Sequence, residues 1–192
     1  FGYDFGTRTT TITDALNQIS TLNYGAANEL LEISGAALGG SSFKQSYSYN
    51  AKGDLLASKN AAGEVTTYAY DGAGGENGAW TRRTDAAGNV VDRSYDPATG
   101  LLLSETAYSI SDADGVGTVS QPGGARKTQY LYDPANLARR QLAYVIGPQG
   151  EVTHYIYTAG QLTSRVQYTA AVYATANPSF AALESWVNGA QA

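Results

Sequence analysis

The chain has 192 residues, a formal net charge of -5 and only 15% charged residues, and it contains neither cysteine nor methionine. This length fits one domain or one repeat array. The lack of cysteine excludes disulfides and thiolate metal sites, and an acidic chain without a basic run does not fit a nucleic-acid partner. No apolar run approaches the roughly 20 residues of a membrane-spanning helix, so no membrane span is expected.

Taken in chain order, short strands rich in threonine and aromatic residues alternate with turns. β-branched and aromatic side chains favour extended backbone, and glycine-rich runs favour loops. The first part of the chain is therefore predicted as strands at 1–12 (one or two), 19–24 and 30–33, turns at 14–17 and 25–28, and a flexible loop at 35–42.

The pattern is clearest at residues 47–70, where two Tyr-x-Tyr strands flank a short strand at 55–58. Alternation with period 2 is typical of a strand with one buried face. Turns of the form Asp/Asn-x-x-Gly separate these strands. The first turn position accepts a backbone hydrogen bond, and the fourth takes a left-handed conformation, which glycine adopts freely and asparagine tolerates.

The same turn is predicted along most of the chain. Its first positions are Asp14, Gly25, Asn50, Asn60, Asp71, Asp85, Asp133 and Gly147. Its fourth positions are Asn17, Asn28, Gly53, Gly63, Gly74, Gly88, Asn136 and Gly150. The turn at 96–100 has one residue more, and the turn at 158–160 has one fewer.

The unit Tyr-x-Tyr-Asp-x-x-Gly-x-Leu resembles the YD repeat of the Rhs family, which also occurs in teneurins and in the B and C components of Tc toxins. The copies that carry the resemblance include YSYNAKGDL, YAYDGAGG, RSYDPATGL and YLYDPANLA, and together the copies span about residues 3–170. The repeat-defining residues are Tyr49, Asn50, Gly53, Gly63, Tyr70, Asp71, Gly88, Tyr95, Asp96, Gly100, Tyr132, Asp133, Gly150, Tyr157 and Gly160.

A repeat period above 20 residues indicates units that bury their faces on their neighbours. The predicted fold class is mostly β, a winding antiparallel sheet built of tandem YD-repeat hairpins with one short C-terminal helix. Residues 1–170 are expected to form the array, with insertion loops at about 72–78 and 109–126, and 171–192 a linker and docking helix. The Rhs resemblance implies a spiralling sheet that can close into a hollow shell.

The C-terminal helix is predicted at 177–189, with Asn177 as N-cap, Pro178 at the first helical position and Gly189 as C-cap. A helix this short is not stable alone. It is therefore expected to dock on the sheet or on a neighbouring molecule through Phe180, Leu183, Trp186 and Val187.

Residues able to do chemistry are few. The single histidine, His154, is expected on the solvent face of a strand. Asp112 and Asp114 form a weak Ca²⁺ candidate in a loop that lacks the EF-hand pattern, and an unliganded loop is favoured. The stretch 96–101 is similar to the Asp-Pro-x-Gly-Leu signature of Rhs self-cleavage sites but has an extra residue, so proteolysis is not carried over. We expect no catalytic residue, no cofactor and no metal.

The tyrosines leave two interpretations open. They are Tyr47, Tyr49, Tyr68, Tyr70, Tyr130, Tyr132, Tyr155 and Tyr157. They could form a ladder with one another across the strands, which is the favoured interpretation, or an exposed face that stacks on sugars.

Three functions are carried forward. The first is a non-enzymatic structural segment of a secreted or cell-surface protein that forms a stiff wall or shell, with a toxin cargo as an enclosed partner. The second is a subunit of an extracellular fibre or sheath in which repeats of identical chains stack head to tail. The third is a glycan or cell-surface binding module.

Overall fold

A computed structural model describes residues 1–36, 42–70, 79–109, 125–169 and 171–190. In these residues fourteen strands follow one another in chain order in an antiparallel sheet, and one α-helix follows them. The strands are β1 (Gly2–Asp4), β2 (Thr9–Thr13), β3 (Ile19–Tyr24), β4 (Leu30–Ala36), β5 (Ser42–Tyr49), β6 (Leu55–Lys59), β7 (Val65–Ala69), β8 (Arg82–Thr84), β9 (Val90–Tyr95), β10 (Leu102–Tyr108), β11 (Ala125–Tyr132), β12 (Leu142–Ile146), β13 (Val152–Thr158) and β14 (Gln161–Tyr168). The α-helix is α1 (Phe180–Ala190), and a 3₁₀ helix spans Pro134–Arg139.

The predicted fold class is confirmed as an antiparallel sheet of consecutive hairpins with a short C-terminal helix. Several sequence predictions lie outside the described residues. They are the loop at 72–78, nearly all of the insertion at 109–126, Asp71, Gly74, and the Ca²⁺ candidates Asp112 and Asp114.

The chain divides into two compact units. The first unit contains β1 to β8, and neighbouring residues of β4 make an apolar pair on one face of the sheet and an ion pair on the other. Leu22 lies opposite Ile33. On the other face Glu32 lies opposite Ser46 and forms an ion pair with Lys44, with a Nζ–Oε2 distance of 2.6 Å.

Among the described residues, the second unit contains β9 from Val91 onward, β10 to β14 and α1. Its core lies where α1 packs on β12, β13 and β14. Leu183 and Val187 of the helix are 0% and 2% exposed. They pack in one cluster with Tyr144, Val152 and Tyr168 of the sheet, so apolar burial fixes the helix on its strands.

The helix begins later than predicted. Asn177 is not its N-cap, because the helix begins at Phe180 and the Ser179 hydroxyl accepts a hydrogen bond from the Ala182 amide at 3.2 Å. Gly189 is not a C-cap either, since it lies within the helix, which ends at Ala190.

Two predicted loops are shorter than expected. β4 continues to Ala36 and β5 begins at Ser42, so the ends of the loop predicted at 35–42 are strand. Gly35 is a strand residue at a close approach, since a Cβ there would lie 2.9 Å from the Ser20 hydroxyl. β11 likewise begins at Ala125, inside the predicted insertion. None of the described helices is long and apolar enough to cross a membrane.

The repeated hairpin as the candidate functional site

A tyrosine and a leucine face each other across the turn in hairpins of both units. The tyrosine lies at or next to the end of one strand, and the leucine lies at or next to the start of the following strand. A register shift accompanies each pair. The pairs are Tyr24 with Leu30, Tyr49 with Leu55, Tyr95 with Leu102, Tyr132 with Leu142, and Tyr157 with Leu162. This arrangement gives the Tyr-Asp-x-x-Gly-x-Leu unit a physical basis, because the two large side chains cover each other on one face.

The turns are tied by the side chain at their first position. Asn50 Oδ1 accepts hydrogen bonds from the amides of Lys52 at 2.8 Å and Asp54 at 3.0 Å. Asp85 accepts in the same way from the amides of Ala87 and Asn89. The Asn89 side chain also donates to Asp85. These hydrogen bonds lower the pKa of the Asp85 carboxyl. One side chain thereby satisfies two turn amides.

The fourth turn position is left-handed at most of the predicted places. The φ values are 59° at Asn17, 64° at Asn28, 87° at Gly53 and Gly63, 79° at Gly88, 67° at Gly100 and 85° at Gly150. In the short turn both Ala159 and Gly160 have positive φ, at 51° and 83°. This is the pattern of a two-residue type I′ hairpin.

The connection after Asp133 differs from its prediction. Asn136 has a φ of -126° and is not left-handed. The chain instead forms the 3₁₀ helix, and Arg140, with a φ of 52°, takes the left-handed conformation. The Asp133 carboxylate still accepts from the Ala135 amide at 2.8 Å, so the first half of the turn is kept and the second half is lengthened.

In turns that begin with glycine, the side chain that accepts the hydrogen bond of the turn amide belongs to the glutamate at the fifth position. Glu29 Oε2 accepts from the Ala27 amide at 2.8 Å, and Glu151 Oε2 accepts from the Gln149 amide at 2.9 Å. A Cβ at Gly147 would overlap with the Glu151 carboxylate, as one at Gly25 would with Glu29. The glutamate therefore occupies the space that an Asp or Asn side chain fills elsewhere, a substitution that the sequence analysis missed.

Successive hairpins are linked by a second tyrosine contact. The Tyr70 hydroxyl donates to the Leu55 carbonyl at 2.9 Å, and the Tyr157 hydroxyl donates to the Leu142 carbonyl at 3.1 Å. Each of these leucines also faces the tyrosine of the preceding turn. A leucine at position i and a tyrosine at i+15 thus mark this link in both units, a spacing that the sequence contains but that only the structure explains.

The expected ladder of tyrosine on tyrosine is wrong in its pairing. The Cα partners of Tyr47, Tyr130 and Tyr155 are Ser58, Val145 and Arg165. Burial raises the pKa of Tyr130 and Tyr132, which keeps both rings neutral. The tyrosines therefore pack on residues of the intervening strands.

His154 lies under α1, and the expectation that it faces solvent is wrong. Its ring stacks on Tyr144 with centroids 4.4 Å apart, and Phe180 of α1 lies 5.6 Å from the Tyr144 ring. Burial lowers the pKa of His154, while the charge of Glu184 opposes the shift. The Nδ1 atom is buried without a hydrogen-bond partner among the described residues. A buried polar atom without a partner costs free energy, so this ring destabilises the contact between α1 and the sheet.

The four residues of the predicted docking helix belong to, or pack against, one cluster. Trp186 packs edge-on against Tyr168 and Tyr173, with both centroid distances 5.7 Å, and Phe180 and Trp186 border the Leu183 and Val187 core. No group of three or more His, Asp or Glu side chains that could hold a metal ion occurs in the described part of the chain.

The fold and these contacts define a class of protein, the tandem β-hairpin repeat proteins. A profile of the RHS Repeat family matches residues 49–74, which confirms the YD-repeat resemblance for the stretch where the pattern is clearest. No curated protein matches the sequence.

Solved structures similar to the chain include the crystal structure of TcdB2-TccC3-Cdc42, with 16% sequence identity and a TM-score of 0.27. A structure of a TccC3 mutant of the Photorhabdus luminescens Tc holotoxin pore has 15% identity and a TM-score of 0.26. The matches cover 86% and 80% of this chain but only 12% and 11% of those chains, so the chain spans about an eighth or less of their length.

Proposed function

We propose that this chain is a non-enzymatic structural segment that forms part of a stiff wall in a secreted or cell-surface protein. The observation that supports it is the repetition of one bonded unit: a Tyr–Leu pair across a turn that a carboxylate or amide ties. The hydroxyl of the next tyrosine then links hairpin to hairpin. Each hairpin thereby stabilises the next one, as repeats of an array stabilise their neighbours.

In this proposal residues 1–170 are the array and residues 171–192 are a segment that docks a helix on it. By analogy with Rhs-type repeats, a longer array of such hairpins encloses a toxin cargo or displays a binding tip. The buried contacts of α1 support a structural role for the helix, since Leu183 is 0% exposed.

Stiffness can be tested with pairs of spin labels, because the chain has no cysteine of its own. Cysteines placed at Ala15 and Ala61 would lie in exposed turns on the same side of the first unit, four strands apart. At about 4.8 Å per strand the sheet predicts a backbone separation of roughly 19 Å. Pulsed electron paramagnetic resonance should give one narrow distance distribution.

The same labelled chain in urea supplies the matched control, because unfolding should broaden and lengthen the distribution. A broad or multiply peaked distribution in native buffer would contradict the stiff-wall proposal.

Glycan binding is a second candidate, which one observation favours. An open cleft of about 500 Å³ in the first unit is lined by Tyr49, Tyr68, Tyr70 and Trp80, with Tyr68 and Trp80 packed edge-on at 6.3 Å. Titrating a Trp186→Phe chain with a glycan panel, with Trp80 fluorescence as the signal, tests it. A change that saturates with one sugar supports binding, and an unchanged spectrum across the panel argues against it.

A further inference from the structure

Two departures from the repeat lie next to each other in the second unit. The connection after Asp133 forms a 3₁₀ helix in place of a four-residue turn, and the turn after Thr158 contains two residues only. The Gln141 side chain joins the two connections, because its Nε2 atom donates to the Gly160 carbonyl at 3.2 Å. Natural proteins break their own structural rules mainly at functional sites, so the space beside these two connections is a candidate site.

An open cleft of about 460 Å³ lies beside these connections. The 3₁₀ helix, the two-residue turn, β12, β13 and the first turns of α1 all contribute to its lining. Three aromatic rings, those of Tyr155, Tyr157 and Phe180, lie among polar side chains. Clefts of this volume, with aromatic walls and a few polar groups, are typical of sites for small organic molecules.

Four side chains of the lining can carry a charge, and two of them are already accounted for. The Asp133 carboxylate is held by its own turn: Oδ1 accepts from the Ala135 amide at 2.8 Å, and Oδ2 accepts from a side-chain amide at 2.7 Å. His154 adds no charge at neutral pH, because burial lowers its pKa. Arg139 and Glu184 are the two ionised side chains that remain for a ligand.

Arg139 and Glu184 border the cleft from different elements. The Arg139 guanidinium lies over the two-residue turn, since a Cβ added at Gly160 would overlap with its Nη1 atom. Glu184 belongs to α1, and its charge acts on His154. Neither side chain forms an ion pair or a side-chain hydrogen bond with any described residue. The cleft therefore presents one unpaired cation and one unpaired anion.

This charge arrangement selects a ligand that carries both signs. A simple anion would be attracted by Arg139 but repelled by Glu184, and a simple cation would meet the reverse. A neutral sugar would leave both charges without a counter-ion. A zwitterion satisfies both at once, because the guanidinium fork matches a carboxylate and the glutamate attracts an ammonium. The aromatic rings offer a packing surface for an apolar side chain.

We propose that this cleft binds a small zwitterion, a free amino acid or short peptide with an aromatic side chain, whose carboxylate contacts Arg139 and whose ammonium contacts Glu184. The bound molecule bridges α1 and the connection before β12. This site is additional to the structural role of the array, which by itself requires no ligand.

The test is a two-dimensional NMR titration of the isotope-labelled full chain with phenylalanine and with glycyl-phenylalanine, from about 0.1 mM to about 20 mM, a range that covers weak binding. Amide signals of residues 139–141 and 159–161 should shift and saturate with at least one of the two. Two analogues then test the charges: N-acetylphenylalanine lacks the ammonium, and phenylalaninamide lacks the carboxylate. Each should bind about five-fold more weakly than phenylalanine, the scale of one exposed ion pair.

Two variants assign each charge to its partner. Arg139→Gln should bind phenylalanine and phenylalaninamide equally, and Glu184→Gln should bind phenylalanine and N-acetylphenylalanine equally. Arg140→Gln is the matched control, because Arg140 donates to the Thr99 carbonyl at 3.4 Å and does not line the cleft. It should bind as the wild type does.

Three results overturn the proposal. The first is the absence of saturating shifts with both probes. The second is a wild-type chain that binds the two analogues as tightly as phenylalanine, a result that needs no variant to fold. The third is an Arg140→Gln chain that loses as much affinity as Arg139→Gln, which would assign the effect to general surface charge.

Discussion

At the residue scale, each turn needs an acceptor for the amide at its third position, and the chain provides it in two ways. An Asp or Asn at the first position accepts it at Asp14, Asn50, Asn60 and Asp85. In the turns that begin with glycine, the glutamate at the fifth position accepts it. A Cβ on Gly25 or Gly147 would overlap with the glutamate carboxylate, so only one of the two side chains can occupy the acceptor position of a turn at a time.

This exclusion predicts a compensating pair of substitutions. Glu151→Ala leaves the Gln149 amide without its acceptor and should lower the free energy of unfolding by about 1 kcal/mol. Adding Gly147→Asp to Glu151→Ala should restore most of that loss, because the new carboxylate has both the space and the amide. Urea denaturation monitored by circular dichroism measures both changes.

The single variant Gly147→Asp is the control and should not stabilise, since its side chain competes with Glu151 for one site. If the double variant is as unstable as Glu151→Ala alone, the two positions are not interchangeable acceptors, and the interpretation is wrong.

The tyrosine link gives a second prediction. Tyr157→Phe removes the hydroxyl that donates to the Leu142 carbonyl, which should cost about 1 kcal/mol of unfolding free energy. Tyr155→Phe, two residues earlier on the same strand, should cost clearly less. Equal losses in thermal denaturation would show that the hydroxyl bond is not what distinguishes the second tyrosine.

The turn chemistry could be predicted at this scale because it depends on neighbouring residues. Gly53, Gly63 and Gly88 have the left-handed φ that their position requires. The residues that face the tyrosines could not be predicted from the sequence. They depend on the register shift beside each turn, which moves the residue opposite a tyrosine by one position. The prediction of a left-handed Asn136 was wrong because Asn136 lies within the 3₁₀ helix Pro134–Arg139, and Arg140 after that helix takes the left-handed conformation instead.

At the scale of elements, the helix was predicted from its apolar spacing, but its start was not. Gln129 Nε2 donates to the Ala176 carbonyl at 3.1 Å, so the chain before the helix is held on the sheet. Pro178 then precedes the cap at Ser179 rather than following one at Asn177. The sequence analysis predicted a cap at Asn177 alone, and a tertiary contact accompanies the cap at Ser179 that formed.

The helix contact predicts a large effect of one substitution. Leu183→Ala removes a fully buried side chain and should lower the unfolding free energy by about 2–5 kcal/mol. Val172→Ala, at a residue that is 62% exposed, is the matched apolar control and should change it little. Equal effects in urea denaturation would mean that α1 does not pack on the sheet as described.

His154 makes the helix contact sensitive to pH. Burial lowers its pKa from the usual 6.5, so the folded state holds the ring neutral. The stability from this ring is fully present above pH 6.5 and is lost as the pH falls through the folded-state pKa. Glu184 opposes the loss by attracting the protonated ring, whereas Tyr144, with a pKa of about 12, stays neutral.

Fluorescence of Trp186 reports this contact, because its ring packs on Tyr168 and Tyr173. In a Trp80→Phe chain the emission should shift to longer wavelength as the pH falls from about 7 to about 5, the range in which histidine titrates. His154→Gln should flatten the curve. An identical shift in the His154→Gln chain would assign the change to other groups.

At the scale of the whole molecule, the sequence predicted the order of the strands, because a tandem repeat pairs each hairpin with the next. It did not predict how unevenly apolar residues are buried. Of the ten buried apolar side chains among the described residues, Val90 lies in the first unit and the other nine lie in the second. Eight of these nine side chains belong to the cluster that contains Leu183 and Val187 of α1, so most of the difference comes from α1, whose docking side no periodic pattern specifies.

Uneven burial predicts uneven stability. Local opening free energies follow the apolar contacts that an opening breaks, so amides of β12 and β13, which lie under α1, should exchange more slowly than those of β2 and β3. Native-state hydrogen exchange read by mass spectrometry of peptides measures this directly. In the Leu183→Ala chain, exchange in β12 and β13 should accelerate while β2 and β3 are unchanged, because their side chains do not belong to the cluster that contains Leu183. Uniform protection across both units would contradict the prediction and would mean that the hairpin links, not the helix, set the stability of the array.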